Sequence, residues 1–186
     1  MPSVIAPILL STLLAAALPA SAPTKPGIPT LAPVHYFGAL LDKATVHEYM
    51  QQALMFSRYS QPKIEPAVDL VPTNVWIDKI CGKTNQDCIE ASLGFYMPGR
   101  PDEVGVVHIR AGMPDRPPSG IIVHELTHWL QNYNGWRFLD NCQDIAAHEI
   151  EAYGVEYLRD EWAGVVRPLE IPDVYDQCTA SRKVSP

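Results

Sequence analysis

The sequence predicts an α+β domain, and three observations carry that prediction. Apolar residues recur at helical spacing in three stretches, short β-branched runs bounded by Pro, Asn and Gly lie between them, and no repeat period runs through the chain. The expected architecture is an N-terminal helix, a small mostly antiparallel sheet, and two helices that close the domain. The chain has 186 residues and 47% are hydrophobic, so one buried core is affordable. Lys and Arg total 14 against 21 for Asp and Glu. That balance disfavours a phosphate-tracking surface, so no nucleic-acid partner is expected.

The first 22 residues differ from the rest. They hold no charged side chain, and the apolar run from Val4 to Leu18 suits a signal-peptide core better than a membrane span of ~20 residues. Pro7 and Pro19 fit a spanning helix poorly, and Ala20-Ser21-Ala22 supplies a small-residue cleavage pattern. Residues 1–22 therefore read as a signal peptide, which implies a secreted or periplasmic protein with no stable membrane span after cleavage. Residues 23–34 hold four prolines and read as an extended linker. The folded domain is expected over 35–186.

Within it, Val46, Tyr49, Met50, Ala53 and Leu54 recur at helical spacing across 42–59. Residues 67–71 and 75–80 read as short strands, and 92–97 with 104–110 as a hairpin around a Pro-Gly turn. Ser119 is the expected N-cap of a helix closed by Asn134-Gly135. A last helix spans about 143–162, with Ile150, Tyr153, Gly154, Tyr157 and Leu158 as its expected buried face. Close packing against the preceding helix would rationalise Gly154. The even set Cys81, Cys88, Cys142 and Cys178 reads as two disulfides in an exported chain. Of three possible connectivities the favoured one joins Cys81 to Cys88 and Cys142 to Cys178, pinning the tail to the last helix.

The chemistry concentrates in His124-Glu125-Leu126-Thr127-His128, an H-E-x-x-H. Residues four apart share a helix face, so both imidazoles can meet one metal ion, Zn2+ by this donor chemistry. Glu125 lies ~100° round from His124 and can reach a water there without being a ligand. Random placement of this composition would produce about 0.01 such motifs.

The pentapeptide, the strand-like run before it and the carboxylate-bearing helix after it resemble the zincin metallopeptidases. The resemblance covers about 92–162. It implies a minimal zincin-like domain, with 104–110 as the edge strand that lines the cleft. Gln131 and Asn134 stand where a metzincin would carry Gly and His, so the chain is more similar to gluzincins, whose third ligand is a later Glu. Glu149-x-x-Ala152-Tyr153 resembles their E-x-x-A-[DN] pattern, with Tyr153 in place of the Asp or Asn that helps orient a His. Glu149 is then the third ligand, Glu151 the runner-up and Asp144 a weaker candidate. Tyr153, His148, Tyr157 and His108 are candidate donors to an oxyanion, and Tyr153 is the one taken as catalytic. The implied activity is zinc-dependent hydrolysis of a peptide or protein substrate, with Glu125 activating the water. Two alternatives stand beside it: a zinc hydrolase acting on a non-peptide amide, and an exported zinc-binding protein without turnover.

Overall fold

A computed structural model describes residues 36–98, 104–112, 118–135 and 141–179, apart from 167, 170, 174 and 177. All of these fall within one contact unit, 31–186. The expected signal peptide and linker lie outside the described residues.

The fold is α+β. In chain order the elements are β1 (Ala39–Leu40), α1 (Lys43–Phe56), β2 (Ala67–Pro72), α2 (Thr73–Val75, continued by π-helical Trp76–Cys81), α3 (Gln86–Ala91), β3 (Gly94–Met97), β4 (Val106–Ala111), α4 (Pro118–Tyr133) and α5 (Cys142–Trp162). The strands form one sheet in the order β1-β2-β4-β3. β1 pairs antiparallel with β2, and β3 with β4, while β2 and β4 run parallel. The sheet is therefore mixed, with two of its three pairings antiparallel.

Local chemistry explains where the helices begin and end. Asp42 caps α1, accepting from the Thr45 amide at 3.0 Å and its hydroxyl at 2.6 Å. Asn141 caps α5 through the Asp144 amide at 2.8 Å. α4 starts on Pro118, whose missing N–H costs nothing in a first turn, and Ser119 lies one residue inside the helix rather than at its cap. Gly135, at φ 87°, closes α4 in a conformation that other residues rarely adopt.

Two clusters of apolar side chains divide at the sheet. On one face Val68, Val107, Ile109 and Tyr96 meet Val46 and Met50 of α1 and Ile122, Leu126 and Leu130 of α4. On the other, Val71 meets Trp76 and Cys81, with Phe37, Ile89 and Phe95 around them. α4 touches α1, β3, β4 and α5, so the helix bearing H-E-x-x-H is held from several sides.

Four further local expectations are corrected. Residues 75–80 are helical rather than extended, because Trp76 and Cys81 both seek the second core and i→i+5 hydrogen bonding places residues five apart on one face. The 104–110 segment is not an edge strand; β4 lies between β2 and β3, and β3 forms the edge on the cleft side. The buried face of α5 is Ala152, Val155, Glu156, Arg159 and Asp160, while Ile150 is 52% and Leu158 44% exposed. Polar contacts to α4 and α1 decide that orientation, including the Arg159 Nε bond to Gln52 at 2.9 Å. Gly154 has no atom within 4 Å of where a Cβ would stand, so close packing does not account for it. Both favoured disulfides are present, and Cys142–Cys178 ties the tail to the start of α5.

Candidate metal centre

Burial of Ile122, Val123, Leu126 and Leu130 fixes the rotation of α4 about its axis. That rotation turns His124 and His128 toward α5. Their Nε2 atoms lie 3.1 Å apart. Glu149 reaches across from α5, with Oε2 3.4 Å from His124 Nε2 and Oε1 3.4 Å from His128 Nε2. These three residues can hold a metal ion. Their spacing is informative: bonds of ~2.0–2.1 Å to a tetrahedral ion place neighbouring donors about 3.3 Å apart.

Each histidine is oriented by a partner on its other nitrogen. Glu156 Oε2 stands 3.1 Å from His124 Nδ1, and Gln131 Oε1 stands 2.8 Å from His128 Nδ1. The Gln131 amide has only one sensible orientation. Its Nε2 donates to the His148 carbonyl and to Glu151 Oε2, both at 3.0 Å and both acceptors. Its Oε1 must then accept, so His128 carries a proton on Nδ1 and Nε2 is the nitrogen that faces the centre.

Glu151 is committed elsewhere. Besides Gln131 it accepts from the Tyr59 hydroxyl at 2.8 Å, and Arg58 Nε lies 3.4 Å away. Burial and the bond to Glu151 push the Tyr59 phenol up to about 12. Asp144 belongs to the cap of α5 with Asn141 and does not join the three ligand candidates.

The electrostatics suit a cation. Burial works against a charged His124, but the Glu149 and Glu156 carboxylates outweigh it and push the imidazole up to about 10. Burial would likewise raise Glu149, yet its hydrogen bonds with His124 and His128 hold it well below the usual carboxylate range. Glu125 behaves differently. Burial raises it, and the neighbouring imidazoles only partly offset that.

An open cleft of about 280 Å³ exposes the centre, walled by residues 92–96 leading into β3, by Ile121 and Glu125 of α4, and by Tyr153 and Glu156 of α5. The Tyr153 ring sits edge-on to His124 with centroids 4.5 Å apart. His148 and Tyr157 are not among the described residues lining the cleft. His108 is on the far side of the sheet, where it stacks on Phe95 and bonds Asp69 at 3.0 Å, so it cannot serve an oxyanion here.

Sequence reasoning missed Glu156, the role of Gln131, and Gly120. Glu156 lies seven residues after Glu149, and Gln131 three after His128, both same-face helical spacings that could have flagged them. Gly120 lies one turn before His124. A Cβ there would meet Asp160 Oδ1 at 3.0 Å and Glu156 Oε1 at 3.3 Å, so the bare backbone lets those carboxylates approach α4. No family model matches the chain, and neither the curated proteins nor the solved structures contain a match. The two disulfides point to an oxidising, non-cytoplasmic setting. No described helix is long and apolar enough to cross a membrane.

Proposed function

We propose that this protein is an exported zinc-dependent peptidase of the gluzincin type. The observation that carries the reading is the convergence of His124, His128 and Glu149 beside the buried Glu125 carboxylate in an open cleft. Two imidazole nitrogens and one carboxylate at tetrahedral spacing suit Zn2+, which would polarise a substrate carbonyl and acidify a water. His124, His128 and Glu149 would hold the ion, with Glu156 and Gln131 keeping the imidazoles oriented.

Glu125 supplies the proton transfers. Its carboxylate takes a proton from the attacking water and delivers it to the leaving nitrogen as the C–N bond breaks. Burial supports this role, because a carboxylate raised above its usual range holds that proton more readily between the two steps. Tyr153, which lines the cleft, would donate its phenolic hydrogen to the oxygen that gains charge. Leu93, Tyr96 and Ile121 add apolar surface for substrate side chains, and the open cleft leaves room for an extended peptide.

The test is removal and restoration of the metal. A zinc-loaded preparation should cleave a mixed peptide library, lose that activity after chelation and dialysis, and regain it with one equivalent of zinc. Stoichiometric zinc binding with no cleavage would instead favour a metal-binding protein without turnover.

A further inference from the structure

Glu125 is buried, yet among the described residues no hydrogen bond holds its carboxylate. Packing contacts, together with the attraction of the His124 and His128 imidazoles, set its position. Ile121 and Glu125 are one turn apart on α4 and share a face, and β3 passes against that face at Gly94. A Cβ at Gly94 would lie 2.8 Å from Glu125 Cγ, 2.9 Å from its Oε1 and 3.0 Å from Ile121 Cγ2. Backbone conformation does not demand glycine here. The described glycines with positive φ are Gly82, Gly112, Gly135 and Gly164. Glycine inside a strand costs stability, so space is the reason that remains.

We infer that Gly94 is a positioning residue for Glu125. This rests on reading Glu125 as the proton carrier of a peptidase. The bare backbone of β3 is the wall against which the carboxylate stands. That wall is fixed, because Gly94 pairs with Ile109 and the Leu93 carbonyl accepts from the Arg110 amide at 2.9 Å. A methyl group at 94 is blocked by Ile121 on one side and by sheet pairing behind. The Glu125 side chain, with its free end in the cleft, is what gives way. The three ligand candidates do not touch this wall as closely, so the ion would stay while the proton carrier moves.

The experiment is Gly94→Ala, read first by crystallography of the zinc-loaded protein. The Glu125 carboxylate should shift by about 1 Å or more with His124, His128 and Glu149 in place, a misplacement that costs ~10–100-fold in kcat. KM should stay within about twofold and bound zinc should be unchanged. Combining Gly94→Ala with Glu125→Ala should be non-additive, Gly94→Ala costing little further once the side chain beyond Cβ is gone. An unshifted carboxylate, or losses that simply multiply, would overturn the inference. If Gly94→Ala does not fold, adding Glu125→Ala should restore folding by removing the obstructing side chain, and failure to restore it would count against the wall. Absence of turnover in the wild type would defeat the peptidase reading separately, while the carboxylate shift would still decide the role of Gly94.

Discussion

Glu156 lies seven residues after Glu149 on α5, and its Oε2 stands 3.1 Å from Nδ1 of His124. One helix thus offers a carboxylate to the imidazole nitrogen on the ligand side and another to its back. In the pattern the sequence resembles, the residue four after the ligand Glu helps orient a His. Here Tyr153 occupies that position, and orientation passes to Glu156 one turn further along.

The first prediction concerns that back-side partner. Glu156→Ala should lower zinc affinity about 10–100-fold, the usual effect of losing a group that orients a ligand. Glu156→Gln should lose less, because an amide oxygen can still accept from Nδ1. Competition against a calibrated chelator measures both, and equal affinities in all three proteins would contradict the assignment.

A second comparison separates the two neighbouring glutamates. Glu149→Ala should abolish tight zinc binding, whereas Glu151→Ala should weaken it by about tenfold or less through Gln131. The reverse order, from the same competition assay, would make Glu151 the ligand.

These contrasts show what sequence could and could not reveal. H-E-x-x-H is legible because the geometry of a single helix brings its residues together. Glu149 was reachable through a motif on the next helix. Glu156 depends on how α5 is rotated against α4, and the apolar pattern of α5 pointed the other way, toward Ile150 and Leu158. That pattern misled because α5 buries Glu156, Arg159 and Asp160 through polar partners instead. β3 became the edge strand through a long-range β2–β4 pairing that no local signal encodes. The 75–80 run was ambiguous for a related reason, since burial of Trp76 and Cys81 overrode its β-branched composition.

His108 predicts a pH effect unconnected to the metal. Burial between Phe37 and Phe95 lowers its pKa from 6.5, outweighing the Asp69 carboxylate beside it. Asp69 itself is held by the Phe37 and Gly38 amides at 2.7 and 2.9 Å. A depressed value in the fold means the unfolded chain binds the proton more readily. This contribution is therefore present above pH 6.5 and is lost as pH falls through the folded value. Melting temperature should drop between pH 8 and 5, and His108→Gln, which keeps a donor for Asp69 but does not titrate, should flatten part of that drop. An identical pH slope in both proteins would contradict it.

The long disulfide makes a stability prediction. Cys142 and Cys178 are 36 positions apart, against 7 for Cys81 and Cys88. Chain entropy alone assigns about 4 kcal/mol to the longer loop and about 2.5 kcal/mol to the shorter. Replacing Cys142 and Cys178 by Ser should lower unfolding free energy by roughly 2–4 kcal/mol in denaturant titrations. A loss well under 1 kcal/mol would show that the tail contributes little to the fold.

The most direct test of the peptidase account compares Glu125→Gln with the wild type at equal bound zinc. One zinc per chain is expected in both proteins, with cleavage of the peptide library by the wild type and a rate at least ~100-fold lower in the variant, as follows when a proton-transfer group is removed. Equal cleavage by the two proteins, with zinc bound in both, would contradict it.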